Sequence, residues 1–139
     1  MSAASNYTEN NVVNALLRGV AFPLPAKGFL SLHTANPGES GGNEVSTTNW
    51  PSYVRKDAAN GEAIETGWNE PVDGVTTNLQ QVLYPSHNGA SAITITHWAV
   101  YDAATGGNML NYAPLNTPRT LQPGDVFVFD AGSLTVQQL

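Results

Sequence analysis

The sequence predicts an all-β fold, a single-domain antiparallel β-sandwich or barrel of about seven or eight short strands with one N-terminal α-helix. Two observations carry this prediction. Short apolar segments follow one another at spacings of roughly ten residues, with turn-forming Gly, Pro and Asn between them. One segment alone, near the amino terminus, has helical periodicity, so the chain lacks the alternation of helices and strands that builds a parallel sheet.

The length of 139 residues fits one domain. We divide the chain into an amino-terminal arm at residues 1–8, a helix at 9–19 and a β domain at 27–137. The first residues lack the basic and apolar regions of a signal peptide, and no apolar run reaches the ~18 residues that a transmembrane helix needs. We therefore expect synthesis in a cytoplasm and no membrane partner.

The helix is predicted from apolar residues at helical spacing, namely Val12, Val13, Leu16, Leu17 and Val20. Thr8 is a suitable N-cap, and Arg18 followed by Gly19 is a typical helix end. Two interpretations of the apolar stripe remain open. We favour a helix that lies across one face of the sheet; the other interpretation is an arm that docks on a partner.

The β domain is predicted from segments of alternating or β-branched residues bounded by turns. The clearest strand, at 92–102, would direct His97 to the same face as Ile93 and Ile95, and Trp98 to the opposite face. The Gly106-Gly107 turn then leads into a partner strand at 108–115 and makes a hairpin. The other predicted strands lie at 29–35, 53–59, 64–68, 76–85, 126–130 and 133–138.

Composition excludes several classes of function. Five Lys and Arg stand against eleven Asp and Glu, giving a net charge of −6, whereas nucleic-acid binding needs clustered cations. Charged residues make up only 12% of the chain, and the surface is expected to be neutral and polar, as in extracellular, viral or assembly-forming β proteins. The absence of cysteine excludes disulfides, thiolate metal sites and a Cys nucleophile.

Residues with catalytic potential are present, but none forms a convincing constellation. The "GESGG" stretch around Ser40 matches a protease nucleophile loop, yet no Asp precedes it to orient His33 as a base. His97 and Asp102 are expected to be structural, in a strand and at its end. We therefore predict no enzyme and no catalytic residues.

Metal and cofactor sites are not predicted either. The three histidines, His33, His87 and His97, lie far apart in the sequence without the spacing of metal ligands. A calcium site in the loop that contains Glu39 and Glu44 remains open as a weaker alternative, although the loop lacks the periodicity of an EF-hand.

The motifs "FLSLHTANPGESGGNEVS", "YVRKDA", "ITHWAVYDAATGGNMLNYAPL" and "LQPGDVFVFDAGSLTV" resemble a group of tailed-bacteriophage virion proteins. The resemblance covers most of the chain, from about residue 10 to residue 136, and its most specific block is "DAATGGN". Such proteins are similar to minor capsid or head-decoration (cement) proteins, and many are labelled as tail fibre proteins. The sequence departs from them at Trp50-Pro51 and in "GWNEPVDGV".

The resemblance implies a structural virion protein without catalysis. Our first hypothesis is a decoration protein that binds the major capsid protein on the outside of the phage head, as a homodimer or homotrimer, after synthesis in the host cytoplasm. The alternative is a tail-associated fibre, baseplate or adhesion component with carbohydrate binding through Trp50, Trp68 or Trp98. The residues predicted to contact partners are Tyr7, Phe22, Leu24, Trp50 and Tyr53.

Overall fold

A computed structural model describes residues 2–138. Within them the chain forms a helix, a short 3₁₀ turn and nine strands, all paired antiparallel. In chain order they are β1 (Ala3–Ala4), α1 (Asn6–Arg18), β2 (Phe29–His33), β3 (Lys56–Asp57), the 3₁₀ turn (Ile64–Gly67), β4 (Val75–Thr77), β5 (Val82–Leu83), β6 (Ile93–Tyr101), β7 (Met109–Leu121), β8 (Val128–Phe129) and β9 (Thr135–Gln137). The predicted fold class is confirmed.

The strands form two layers. One layer is a five-stranded sheet in the order β1-β7-β6-β2-β3, and the other consists of two ribbons, β4-β9 and β5-β8. The predicted hairpin at 92–115 is the β6-β7 pair at the centre of the sheet. The arrangement is therefore sandwich-like, with one face of the large sheet turned towards the ribbons.

The core lies between these layers and is rich in aromatic rings. Leu30, Leu32 and Trp98 project from the sheet and pack with side chains of the ribbons and of the long loop after β2. The Phe127 and Phe129 rings meet edge to face with centroids 4.9 Å apart, a favoured geometry for aromatic pairs. The remaining rings of this cluster are Trp50, Tyr53 and Tyr84.

The strict alternation predicted for β6 is interrupted by a β-bulge. Ile95 pairs with Arg119, but two residues later His97 pairs with Pro114, so β7 contains extra residues at this point. Ile95 consequently shares the core with Trp98, whereas Ala99 belongs to a separate cluster on the other face. Strands bend and re-aim their side chains at such bulges.

The helix begins three residues earlier than predicted. Ser5 is the N-cap, because its hydroxyl accepts a hydrogen bond from the Thr8 backbone N–H at 3.2 Å, and Thr8 itself is buried. The predicted end is confirmed, since Gly19 is the C-cap with a φ of 66°. The expected arm is partly β1, which pairs with β7.

The helix does not lay its apolar stripe on the sheet. It rests against β1 and β7 through its polar side, on which Thr8 is buried and Asn11 and Asn14 are half-buried. Leu16 and Leu17 on the opposite side are 77% and 80% exposed. The favoured interpretation of the stripe is therefore wrong. The side chains that α1 turns towards the sheet are small or polar, and the apolar stripe faces solvent.

Candidate functional site

A buried pair of Ser31 and His33 has the geometry of a nucleophile and its base. The His33 ring donates from Nδ1 to the Gly42 carbonyl at 2.6 Å, so Nε2 accepts the Ser31 hydroxyl at 2.8 Å. Burial lowers the pKa of His33, which favours the neutral ring. Both side chains are 0% exposed, so the pair is placed to hold β2 against the Gly42 loop.

A second polar group ties the loops at this end of the sheet together. The Arg55 guanidinium donates to both oxygens of the Glu44 carboxylate, from Nη2 at 2.8 Å and from Nε at 2.9 Å. The guanidinium also donates from Nη1 to the Ala103 and Gly106 carbonyls. It lies 3.6 Å from the centre of the Tyr101 ring. This one side chain therefore connects the β6-β7 turn to the loop that precedes β3.

The Glu44 carboxylate accepts hydrogen bonds from both Arg55 and Tyr53. Burial raises its pKa, but hydrogen bonds from Arg55 and Tyr53 and the charge of Arg55 outweigh burial and hold the pKa below its usual value. Glu44 is thus an ion-pair partner, which weakens the calcium alternative for this loop. The described residues contain no group of three side chains of His, Asp or Glu that could hold a metal ion.

The structure brings together two histidines that lie far apart in the sequence. His33 of β2 stands directly opposite His97 of β6, on the same face of the sheet. Burial lowers the pKa of His97 as well. Asp102, at the end of the strand, accepts from the backbone N–H of Asn108 at 2.7 Å and closes the turn, the structural role expected for it.

The residues predicted to contact partners fall into two groups. Trp50 is 0% exposed and Tyr53 is 6% exposed, so both rings lie in the core and not on a contact surface. They lie there because the loop after β2 folds back over the aromatic cluster, a long-range arrangement without a local sequence signal. In contrast, Tyr7 packs edge-on against Phe22 with ring centroids 6.4 Å apart, beside the 85% exposed Leu24.

The tryptophan-based sugar site has little support in this arrangement. Trp50 and Trp98 are 0% and 3% exposed, and Trp68 is half-buried against the core. A ring must present its face to stack on a sugar, and the first two do not. Composition does not show where a tryptophan lies, and the structure places Trp50 and Trp98 in the aromatic core.

An open groove of about 360 Å³, which the sequence did not reveal, lies between the β7 bulge and strands β8 and β9. Its rim includes Asn116, Thr117, Arg119 and Asp130, and its floor consists of buried rings. The Arg119 guanidinium lies 5.2 Å from the Phe127 ring centre. The groove offers a polar rim without an exposed aromatic platform.

The solvent-facing side of α1 is apolar. We use the term helix face for Val12, Val13, Leu16 and Leu17 of α1, which are between 39% and 80% exposed. A second groove, of about 340 Å³, adjoins it and is lined by Val12, Val13 and the end of the chain near Gln137. Among the described residues no helix has the length and hydrophobicity needed to cross a bilayer.

Comparison with known proteins places these features in a family. Residues 3–137 match the model of a family described as podophage GP4 fiber I protein gp80. No curated protein matches the sequence. Because the match spans nearly the whole chain, the protein belongs to this family of phage fibre-type structural proteins.

Proposed function

We propose, from this membership, that the protein is a structural component of the tail fibre apparatus of a podophage virion. The match of residues 3–137 to a family described by its fibre is the observation that carries the proposal. The solvent-facing helix face is compatible with it, because exposed apolar surface commonly marks a protein–protein contact. The protein then acts by assembly, with tail components as its partners.

This proposal replaces head decoration as the leading hypothesis. Binding of the major capsid protein rests on the sequence resemblance alone, whereas the family description names a fibre. The tail-associated alternative is therefore favoured. The proposed location is the virion tail.

We include the absence of catalysis in the proposal. The Ser31-His33 pair is enclosed, and its imidazole is oriented by a backbone carbonyl in place of a carboxylate. Ser40 lies on an exposed loop, and within the described residues its hydroxyl donates no hydrogen bond to a histidine. These observations favour a structural role for the polar residues.

The location is tested by immunogold labelling of purified virions with antibodies raised against the protein. We expect gold at the tail, and a low copy number relative to the major capsid protein by quantitative mass spectrometry. Antibodies against the major capsid protein, applied to the same particles, mark the head and serve as the control. Label spread over the head surface at high copy number would restore the decoration hypothesis.

A further inference from the structure

Arg119 projects from the inner side of the large sheet into the groove of about 360 Å³. It pairs directly with Ile95 of β6, and directly paired residues of neighbouring strands project to the same side. Ile95 is 0% exposed and belongs to the core between the layers. A cation therefore lies on the core side of the sheet, at the place where β8 and β9 leave the sandwich open.

The Arg119 guanidinium is supported by a ring and not by an acid. It lies 5.2 Å from the centre of the Phe127 ring, within the range of a cation–π contact, and that ring is only 1% exposed. Within the described residues the ion pairs belong to Lys27 and Arg55. The side-chain hydrogen bonds donated by arginine there belong to Arg18 and Arg55. The N–H donors of Arg119 thus remain available to a ligand in the groove.

The β-bulge adds neutral polar groups to the lining of the same groove. Residues 115–118 of β7 lie between two successive pairings where β6 has Thr96 alone, so the strand is widened there. Asn116 and Thr117 of this segment are exposed and form no side-chain hydrogen bond within residues 2–138. Gln137 of β9 also lines the groove. Amide and hydroxyl groups of this kind can donate to and accept from the hydroxyls of a ligand.

Protection of a free sheet edge does not account for Arg119. In the described part of the chain β1 covers β7 at Asn111 and Tyr112, and the residues that follow have no strand on that side. Inward-pointing charges and prolines both discourage other chains from pairing with such an edge. Pro114 and Pro118 already remove backbone N–H donors from this segment. The unpaired cation therefore calls for a different explanation.

The charges at the groove favour a ligand with a single carboxylate. A planar guanidinium matches a carboxylate through two parallel hydrogen bonds. Arg119 is the one Lys or Arg among the lining residues, whereas nucleic-acid phosphates are bound by clustered cations. Asp130 lines the groove as well, and together with the net charge of −6 it disfavours a ligand that carries several negative charges.

The size and the lining of the groove fit a small hydroxylated molecule. Its volume of about 360 Å³ lies at the lower end of the ~300–1,000 Å³ typical of small-molecule sites. The groove is open and presents no ring face for stacking, so recognition depends on hydrogen bonds. An acidic sugar combines the two required features, because it has one carboxylate and several hydroxyls that both donate and accept.

We propose that the groove beside Arg119 binds an acidic sugar. The guanidinium pairs with the carboxylate, and the side chains of Asn116, Thr117 and Gln137 meet the hydroxyls. The site differs from a tryptophan-based sugar site because no ring stacks on the ligand. The inference goes beyond the fibre assignment and rests on the groove alone, so a labelling result that places the protein on the head would leave it standing.

The test is an NMR titration of the isotope-labelled full chain with two acidic sugars, methyl glucuronide and methyl sialoside. With at least one of them we expect saturable shifts of the backbone amides of residues 115–117 and of the Arg119 Nε–H. The expected Kd is about a millimolar, since an open groove leaves part of the ligand in water. Methyl glucoside, which has no carboxylate, and acetate, which has no hydroxyls, should each bind about tenfold more weakly or worse.

Variants separate the two halves of the site. Arg119→Gln should weaken binding of the acidic sugar by about tenfold or more, and Arg119→Lys should restore only part of it, because an ammonium group lacks the planar fork. Asn116→Ala should weaken binding of the sugar without changing that of acetate. Arg18→Gln is the matched control, since Arg18 is an exposed arginine of α1 outside the groove, and it should bind as the wild type does. Unshifted amides elsewhere in each spectrum verify that the variant is folded.

Three results would overturn the proposal. The first is the absence of saturable shifts at the groove with both acidic sugars. The second is an affinity for methyl glucoside or for acetate that equals the affinity for the acidic sugar. The third is an Arg119→Gln variant that binds the acidic sugar as the wild type does, and aggregation of that variant would then assign the side chain to edge protection.

Discussion

Tyr53 shows how one hydroxyl can organise a core. Its oxygen accepts from the Leu32 backbone N–H at 3.0 Å and its hydrogen goes to a Glu44 oxygen at 2.7 Å. Burial raises the pKa of the phenol, so the group stays protonated and keeps donating. A residue expected to contact a partner thus joins β2 to the loop that follows it.

Replacing Tyr53 by Phe should lower the free energy of unfolding by about 1–3 kcal/mol, because the Leu32 N–H would be left buried without a partner. Urea denaturation monitored by fluorescence gives the value. Tyr7→Phe is the control, since Tyr7 is half-buried and its hydroxyl forms no hydrogen bond within the described residues. Equal midpoints for the two variants would contradict the role assigned to Tyr53.

At the level of elements, sequence patterns predicted periodicity better than orientation. The spacing of Val12 to Val20 identified a helix and Gly19 identified its end, but periodicity contains no information about which side meets the sheet. Similarly, the alternation of Ile93 and Ile95 correctly placed these two residues on one face. It failed beyond Thr96, because the bulge depends on how β7 pairs and leaves no local signal.

The functional surfaces were harder to predict for the same reason. The sequence proposed Phe22 and Leu24 as partner contacts, and this stays a prediction: Leu24 is exposed and Phe22 packs against Tyr7. It proposed Trp50 as a partner contact, and only the tertiary fold brings the loop that contains Trp50 over the aromatic core. The groove beside Arg119 is lined by residues of four strands, β6 to β9, and no local sequence pattern marks it.

The turn of the β6-β7 hairpin offers a test with a built-in control. Gly106 and Gly107 both have positive φ, 60° and 71°, but a Cβ on Gly107 would lie 2.5 Å from an Asp102 oxygen, whereas a Cβ on Gly106 has open space. Gly106→Ala should cost about 1 kcal/mol from backbone strain, and Gly107→Ala distinctly more. Thermal unfolding compares them, and an equal loss would argue against the crowding.

For the whole molecule, acid should be destabilising well before the carboxylates titrate. Burial lowers the pKa of His33 below its usual 6.5, so the unfolded state binds protons there more readily and acidification favours unfolding. Glu44, Arg55 and His97 are the charged or titratable groups that act on this ring. The pKa of Glu44 lies below its usual 4.5, so the stabilisation from its ion pair is complete above that pH and is lost as the pH falls through the lowered value.

We therefore expect the free energy of unfolding to decrease between about pH 7 and pH 5, the range in which histidine changes charge. Urea denaturation at several pH values measures the slope. In a His33→Gln variant the slope should be shallower, whatever the change in absolute stability. A slope that is unaltered by this substitution would assign the acid sensitivity to other groups.

The orientation of α1 also has a consequence for local unfolding. Because its leucines already face water, lifting the helix from β7 would newly expose mainly Tyr7, Thr8, Ala15 and two asparagines. Detachment therefore loses few hydrophobic contacts, and α1 is expected to open more readily than the sheet core in an isolated chain. If another chain binds the helix face, α1 should open less often. Slower exchange of the α1 amide hydrogens would therefore report assembly.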